Sequence, residues 1–270
     1  MRAETMRMNV RNTVLGLSLL ACAAAITSPG SAHAQSCTLI VDADTGHTRI
    51  EDGDCNTRYT PASTFKVPLA LMGFDSGLLT DAHTPRWEWP PNQRAPQRDR
   101  KPVDPTIWEA DSVVWYSREL TRRLGAARFG AYVHRLAYGN EDVAGDPGED
   151  NGLTRSWISS SLKISPREQA AFIRRLLAGD LPVSAEAQQK TKDILPVFET
   201  ASGWRVHGKT GSGSLPSRDK TDKGKPVGWF VGWAERDGKT IVFARQNIGT
   251  DHGRQGLAER TRMLALLETM

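Results

Sequence analysis

A serine three residues before a lysine is the smallest unit in this chain suited to covalent chemistry. It occurs at Ser63–Lys66, Ser160–Lys163 and Ser217–Lys220. On a helix, residues three apart share a face, so the lysine amine can reach the hydroxyl and take its proton. Context separates the three. Ser217 sits in a charged stretch and Ser160 in a serine-rich turn, whereas Ser63 follows Pro61-Ala62 and opens an apolar run. The start of a helix adds free backbone N–H groups and the positive end of a dipole, both suited to a developing oxyanion. An N-cap serine followed by a solvated lysine fits the same four residues. Phe65 and Val67 flank Lys66, however, which points to a partly desolvated amine. A lysine with a pKa of about 10.4 is roughly 0.1% free amine at neutral pH, and burial lowers that pKa.

Lys209-Thr210-Gly211 follows a short strand pattern, Trp204 to Gly208. A cation and a hydroxyl on one strand, with glycines that let a ligand approach the backbone, suit a carboxylate and its neighbouring carbonyl. An exposed edge strand with a Gly-Ser turn fits the triplet equally well. Ser112-Val113-Val114 lies between the two motifs and by itself says nothing. Glu149 and Asp150 are bracketed by Gly148 and Gly152 and read as solvated turn residues rather than a second base. The six histidines show no paired ligand spacing and no nucleotide loop is visible, so neither a metal nor an organic cofactor is expected.

The elements that must hold these residues fall in a clear order. Thr38–Val41 and His47–Glu51 read as a hairpin, and Thr64 to about Gly77 as a helix with Pro68 in or near its first turn. Pro85 to Pro105 holds six prolines and reads as a long loop. Its Trp and Arg residues are placed in solvent rather than on nucleic acid. Asp111 to Leu136 reads as helices broken near Gly125. Ser165-Pro166-Arg167-Glu168 is a capping box with proline at the first helical position, and another helix begins near Ser184. Val227–Ala234 and Thr240–Ile248 read as antiparallel strands around an Asp237-Gly238 turn, and Leu257, Leu264 and Leu267 mark a closing helix. Strands, then helices, then strands and a helix imply an α/β (α+β) fold, with an antiparallel sheet built from both chain ends around a helical insertion.

The N-terminus carries Arg2, Arg7 and Arg11, an uncharged run from Val14 to Ile26, and Ala32-His33-Ala34. This is a secretory signal over residues 1–34, expected to leave Gln35 at the new terminus. Thirteen apolar residues fall short of the roughly 20 that span a bilayer, so no stable membrane association is expected. The chain has 35 Lys and Arg and 31 Asp and Glu; the signal removes three and one, leaving 32 against 30. A net of +2 argues against nucleic acid or an anionic membrane as partner. Cys37 and Cys55 then remain as a pair in an exported, periplasmic setting, where a disulfide is expected. Without a C-x-x-C spacing or nearby histidine, a metal or redox pair is disfavoured.

Taken together, Ser63-x-x-Lys66, Ser112-x-Val114, Tyr138-Gly139-Asn140 and Lys209-Thr210-Gly211 resemble the motifs of the class D serine β-lactamases, the oxacillinases. Trp157 and the segment Gly228–Trp233 extend the resemblance across essentially the whole exported chain. It implies a serine β-lactamase and penicillin-binding transpeptidase fold over residues 35–270, with a sheet lobe at about 35–60 and 200–270 and a helical lobe at about 61–199. The implied activity is hydrolysis of the amide of penicillins, and of cephalosporins, conferring β-lactam resistance. Ser63 would be the nucleophile and Lys66 the base, as a carbamate (N-carboxylysine) made with carbon dioxide. Val114 would keep the lysine pocket apolar, Trp157 would hydrogen-bond the carbamate, and Ser112 would relay a proton to the leaving nitrogen. The oxyanion would lie between the N–H groups of Ser63 and Ser212, with Lys209, Thr210, Gly211 and Arg254 around the substrate carboxylate. Partners would be small-molecule β-lactams, and the protein a monomer or homodimer. A penicillin-binding transpeptidase or carboxypeptidase, or a β-lactam sensor that acylates and stops, shares Ser-x-x-Lys and Lys-Thr-Gly.

Overall fold

The computed structural model describes residues 1–3, 36–215, 224–249 and 253–270. Apart from residues 1–3, the expected signal segment lies outside the described residues, as does Ser217–Lys220. Residues His33–Met270 form one compact unit.

Six antiparallel strands form one sheet. They are β1 (Ser36–Asp42), β2 (Thr48–Gly53), β3 (Val197–Glu199), β4 (Arg205–Ser214), β5 (Pro226–Arg236) and β6 (Lys239–Ile248), in the order β2-β1-β6-β5-β4-β3. Both chain ends therefore meet in the sheet, as the pattern of elements implies. The turn between β5 and β6 has Asp237 and Gly238 at φ 52° and 72°. Two consecutive positive φ angles match the twist of flanking strands, which is why Asp-Gly is chosen there. Strand β5 is buried from Pro226 through Ala234, covered on both faces.

Helices follow the sequence signals closely. They are α1 (Lys66–Asp75), α2 (Pro105–Asp111), α3 (Val114–Leu124), α4 (Ala126–Arg135), α5 (Gly152–Arg155), α6 (Pro166–Ala178), α7 (Ala185–Asp193) and α8 (Gln255–Glu268). Gly125, at φ 76°, separates α3 from α4. At α6 the Glu168 N–H donates to Ser165 Oγ while Ser165 N–H donates to Glu168 Oε2, so two otherwise unpaired donors are satisfied. One face of the sheet packs on α6 and the main core, and the other carries α8 over a smaller core of Ile40, Phe230, Phe243, Met263 and Leu267.

Two expectations are corrected. The helical lobe does not extend to residue 199, because Val197–Glu199 pair with Arg205–His207. A three-residue strand is too short to show an alternation of its own. The buried stripe of α8 is Gly256, Glu259, Met263 and Leu267, with Leu257 and Leu264 only half-buried. Glu259 is tolerated inside because Arg245 and Arg262 both pair with it.

Cys37 and Cys55 are joined in a disulfide, which ties β1 to the chain just beyond β2. No helix among the described residues is long and apolar enough to cross a membrane. The bridge closes a separation of 18 residues, so replacing both cysteines by alanine should lower the unfolding free energy by about 3 kcal/mol. Urea denaturation would measure it, and an unchanged midpoint would show that the bridge adds nothing.

Candidate active site

Ser63 lies in a single 3-10 turn, Ala62–Phe65, that runs directly into α1. Its hydroxyl caps neither the turn nor the helix, so the N-cap reading does not hold. Ala62, just before it, has φ 49°, a left-handed conformation that a non-glycine residue adopts only when its surroundings impose it. Those surroundings are polar and come from three directions. From β5, the Trp229 indole N–H donates to Thr60 O at 2.9 Å. From the segment before α6, Trp157 O accepts from Ala62 N–H at 3.0 Å and from Thr60 Oγ1 at 2.9 Å. From α6, Gln169 Nε2 donates to Thr64 Oγ1 at 2.8 Å.

Lys66 Nζ stands 3.5 Å from Ser63 Oγ and the residue is 1% exposed. Burial lowers its pKa to about 7, and the positive charge of Lys209 pushes the same way, against the pull of Glu109 and Asp99. The preceding Phe65 ring is stacked on Trp157 at 5.4 Å and met edge-on by Phe129 and Tyr138 at 5.9 and 5.5 Å. This aromatic cluster walls off the base of α1. Val114 opens α3 and is half-buried; the fully buried valine of that triplet is Val113.

Ser112 follows α2 in a left-handed conformation, φ 60° and ψ 41°, and its Oγ accepts from Lys209 Nζ at 3.0 Å. Lys209 is 2% exposed on β4, so the exposed-edge reading of its triplet fails. Strand β3 covers β4 only as far as His207, and the edge from Lys209 onward faces the Ser63 turn instead. A Cβ on Gly211 would come within 2.9 Å of Pro61 O and 3.2 Å of Thr64 N, so glycine sets how closely strand and turn approach. The start of α8 closes the far side, where Gly256 N–H donates to Ser212 Oγ at 2.9 Å. Arg254 precedes that contact by two residues at the N-cap of α8, with its side chain exposed. Thr210 is half-buried on the same strand.

The structure thus gathers Ser63, Lys66, Ser112 and Lys209 into one site, with Gly211 and Ser212 along its edge and Trp157 behind Phe65. Tyr138-Gly139-Asn140 is scaffold: Asn140 Nδ2 donates to Ser161 O and its Oδ1 accepts from Lys163 N–H, holding the chain that follows Trp157. Glu149 and Asp150 are exposed, as expected. A separate cleft of about 1050 Å³, lined by Arg174, His207, Trp233 and Glu235 among others, contains none of the expected residues.

Sequence reasoning passed over Glu109. It is completely buried on α2, and neither carboxylate oxygen has a hydrogen-bond partner. Burial raises its pKa to about 7, while Lys209 and then Lys66 pull it back down. Its position three residues before Ser112 was the available signal.

Comparison with known proteins accords with this geometry. The penicillin-binding-protein transpeptidase domain profile matches residues 31–265. The β-lactamase OXA-9 of Klebsiella pneumoniae is 51% identical over 218 residues, covering 80% of each chain. The chain belongs to the class D β-lactamases. OXA-1 of Escherichia coli is 32% identical over 83% of this chain and 80% of its own. Among solved structures, the class D β-lactamase OXA-427 superposes with a TM-score of 0.79 at 42% identity, covering 87% of this chain and 97% of that one. In this class D β-lactamase the strand edge at Gly211 positions the turn that carries Ser63. Gly211→Ala should slow acylation of Ser63 at least about tenfold, equivalent to about 1.4 kcal/mol at the transition state, with the circular dichroism spectrum unchanged. Wild-type acylation by stopped flow would show that the close approach is dispensable.

Proposed function

We propose that this enzyme hydrolyses penicillins, and cephalosporins, through an acyl-enzyme on Ser63, and that it acts after export to the periplasm. The observation that carries the mechanism is a buried lysine, held well below the usual lysine range, beside the Ser63 hydroxyl. Ser63 Oγ attacks the lactam carbonyl as its proton passes to the base at Lys66. Backbone N–H groups of Ser63 and Ser212 receive the oxyanion. Collapse of the tetrahedral species breaks the C–N bond, and Ser112 delivers a proton to the departing nitrogen. Ser112 takes back the proton that Ser63 gave to the base at Lys66, and the Lys209 ammonium, 3.0 Å from Ser112 Oγ, stabilises the oxygen during that exchange. Lys209, Thr210 and Arg254 hold the substrate carboxylate. The disulfide supports the exported setting.

Turnover needs a base that also activates water. The Lys66 pocket fits a carbamate: the residue is almost fully buried, and with a pKa of about 7 much of its amine is free at neutral pH, the form that reacts with carbon dioxide. Carbon dioxide bound there would supply an anionic general base beside Ser63, held by Lys66 with the Trp157 indole as donor.

The test is turnover of oxacillin and benzylpenicillin by the purified enzyme, with intact mass to follow the Ser63 adduct. Sustained turnover at about ten per second or faster is expected, lost in Ser63→Ala and Lys66→Ala. A single adduct persisting for hours would instead indicate a penicillin-binding protein or sensor. Stripping carbon dioxide should reduce the rate and bicarbonate should restore it; equal rates under both conditions would reject the carbamate. Lowering the pH through about 7 converts the Lys66 amine to an ammonium, so kcat/KM should fall on the acid side of neutrality. A rate flat down to about pH 5 would show that Lys66 does not titrate in catalysis.

A further inference from the structure

Glu109 has no place in the chemistry so far, yet it lies inside the site. It is fully buried on α2, three residues before Ser112 at the end of that helix, and both of its carboxylate oxygens lack a partner. A buried carboxylate without hydrogen bonds is costly as an anion and cheap as an acid, so such a group is poised to take up a proton. Two cationic groups act on its charge, Lys209 from β4 and Lys66 from α1. Other charges reach the same lysines from neighbouring elements: Asp99 from the turn before α2, Arg118 from α3 and Arg260 from α8. Asp99 is already bridged to Arg98. On α2 itself, Asp111 is exposed and paired with Lys101. Among the described residues, Glu109 is the one carboxylate that acts on both lysines and has no bond of its own.

We propose that Glu109 takes up the proton that the Lys66 nitrogen loses when it combines with carbon dioxide. The proposal rests on the carbamate reading above. In the step, the nitrogen lone pair forms an N–C bond to carbon dioxide and a C=O π pair moves onto oxygen. One N–H bond then breaks, its electrons stay on nitrogen, and the proton resides on the Glu109 carboxylate. Two anions side by side in a buried pocket resist joint ionisation, so the carbamate's charge holds that proton in place. Burial of Glu109, which an apolar residue would achieve more simply, is thereby explained.

The consequence is a proton count. Above about pH 7.5 the uncarboxylated site holds a free amine and an ionised Glu109; the carboxylated site holds a carbamate and a neutral acid. The net charge facing Lys209, itself held at about 8, is the same in both, so no proton is exchanged with solvent and affinity for dissolved carbon dioxide should not change with pH. With a neutral residue at 109 the proton goes to water, and affinity should rise about tenfold per pH unit.

The experiment uses the purified enzyme with ¹³C-labelled bicarbonate, reading the carbamate signal by ¹³C NMR from pH 7.5 to 9.0 against dissolved carbon dioxide. The half-saturating concentration in the wild type should stay constant to within about twofold, whereas Glu109→Gln should show the tenfold slope. Glu109→Met supplies a second neutral variant should the first fold poorly, and the wild-type slope decides the question without either. A carbamate signal with the tenfold slope in the wild type would overturn the role of Glu109 and leave the carbamate standing. No carbamate signal in the wild type at any concentration would overturn both.

Discussion

Removing one amine from water is the constraint on which this site depends. A solvated lysine is an ammonium at any physiological pH and cannot take a proton from serine. At 1% exposure the Lys66 charge is instead poorly solvated, and loss of its proton is the cheaper response. The aromatic cluster around Phe65 sustains that state. Trp157, Phe129 and Tyr138 come from three separate segments, and their rings together fill the space beneath the first turn of α1. Ser63 sits at the boundary of this dry region, on the same turn.

The turn itself is unfavourable in isolation. A left-handed alanine and a 3-10 hydrogen-bond pattern are held in a frame where the Trp157 carbonyl and Gln169 bond the turn itself and Trp229 of β5 bonds Thr60 just before it. Strand β4 is then laid along the turn at glycine distance. Together these contacts hold Ser63, the backbone of its turn and Lys209 to one geometry, the kind of preorganisation that the proposed acyl transfer requires.

Charge is distributed with equal economy. Two lysines and one carboxylate are buried close together: Glu109 acts on the protonation of both lysines, and Lys209 on that of Lys66. Lys209 is anchored to Ser112 and keeps Lys66 from holding its proton firmly. Glu109 opposes both, from a position where nothing else bonds to it. Perturbed groups of this kind concentrate at reactive sites because a reaction near neutral pH requires protons that move easily.

Much of this was legible from residue order. Local rules act over three or four residues, so the capping box at Ser165, the breaks at Gly125 and Asp237-Gly238 and the strand patterns of β5 and β6 all stand in the structure where the sequence places them. The residues that gather in the candidate site were legible as a set of motifs, although Ser-x-x-Lys alone could not be told from an N-cap. Glu109 was not, because a lone glutamate on a helix ordinarily faces water. The same holds for Glu259 in the stripe of α8 and for β3, which is a strand only because β4 lies beside it. The sequence by itself determined most of the elements, their caps and the motifs that meet in the candidate site. The tertiary structure alone decided which charges lost their water, since desolvation depends on what chain segments remote in sequence bring together.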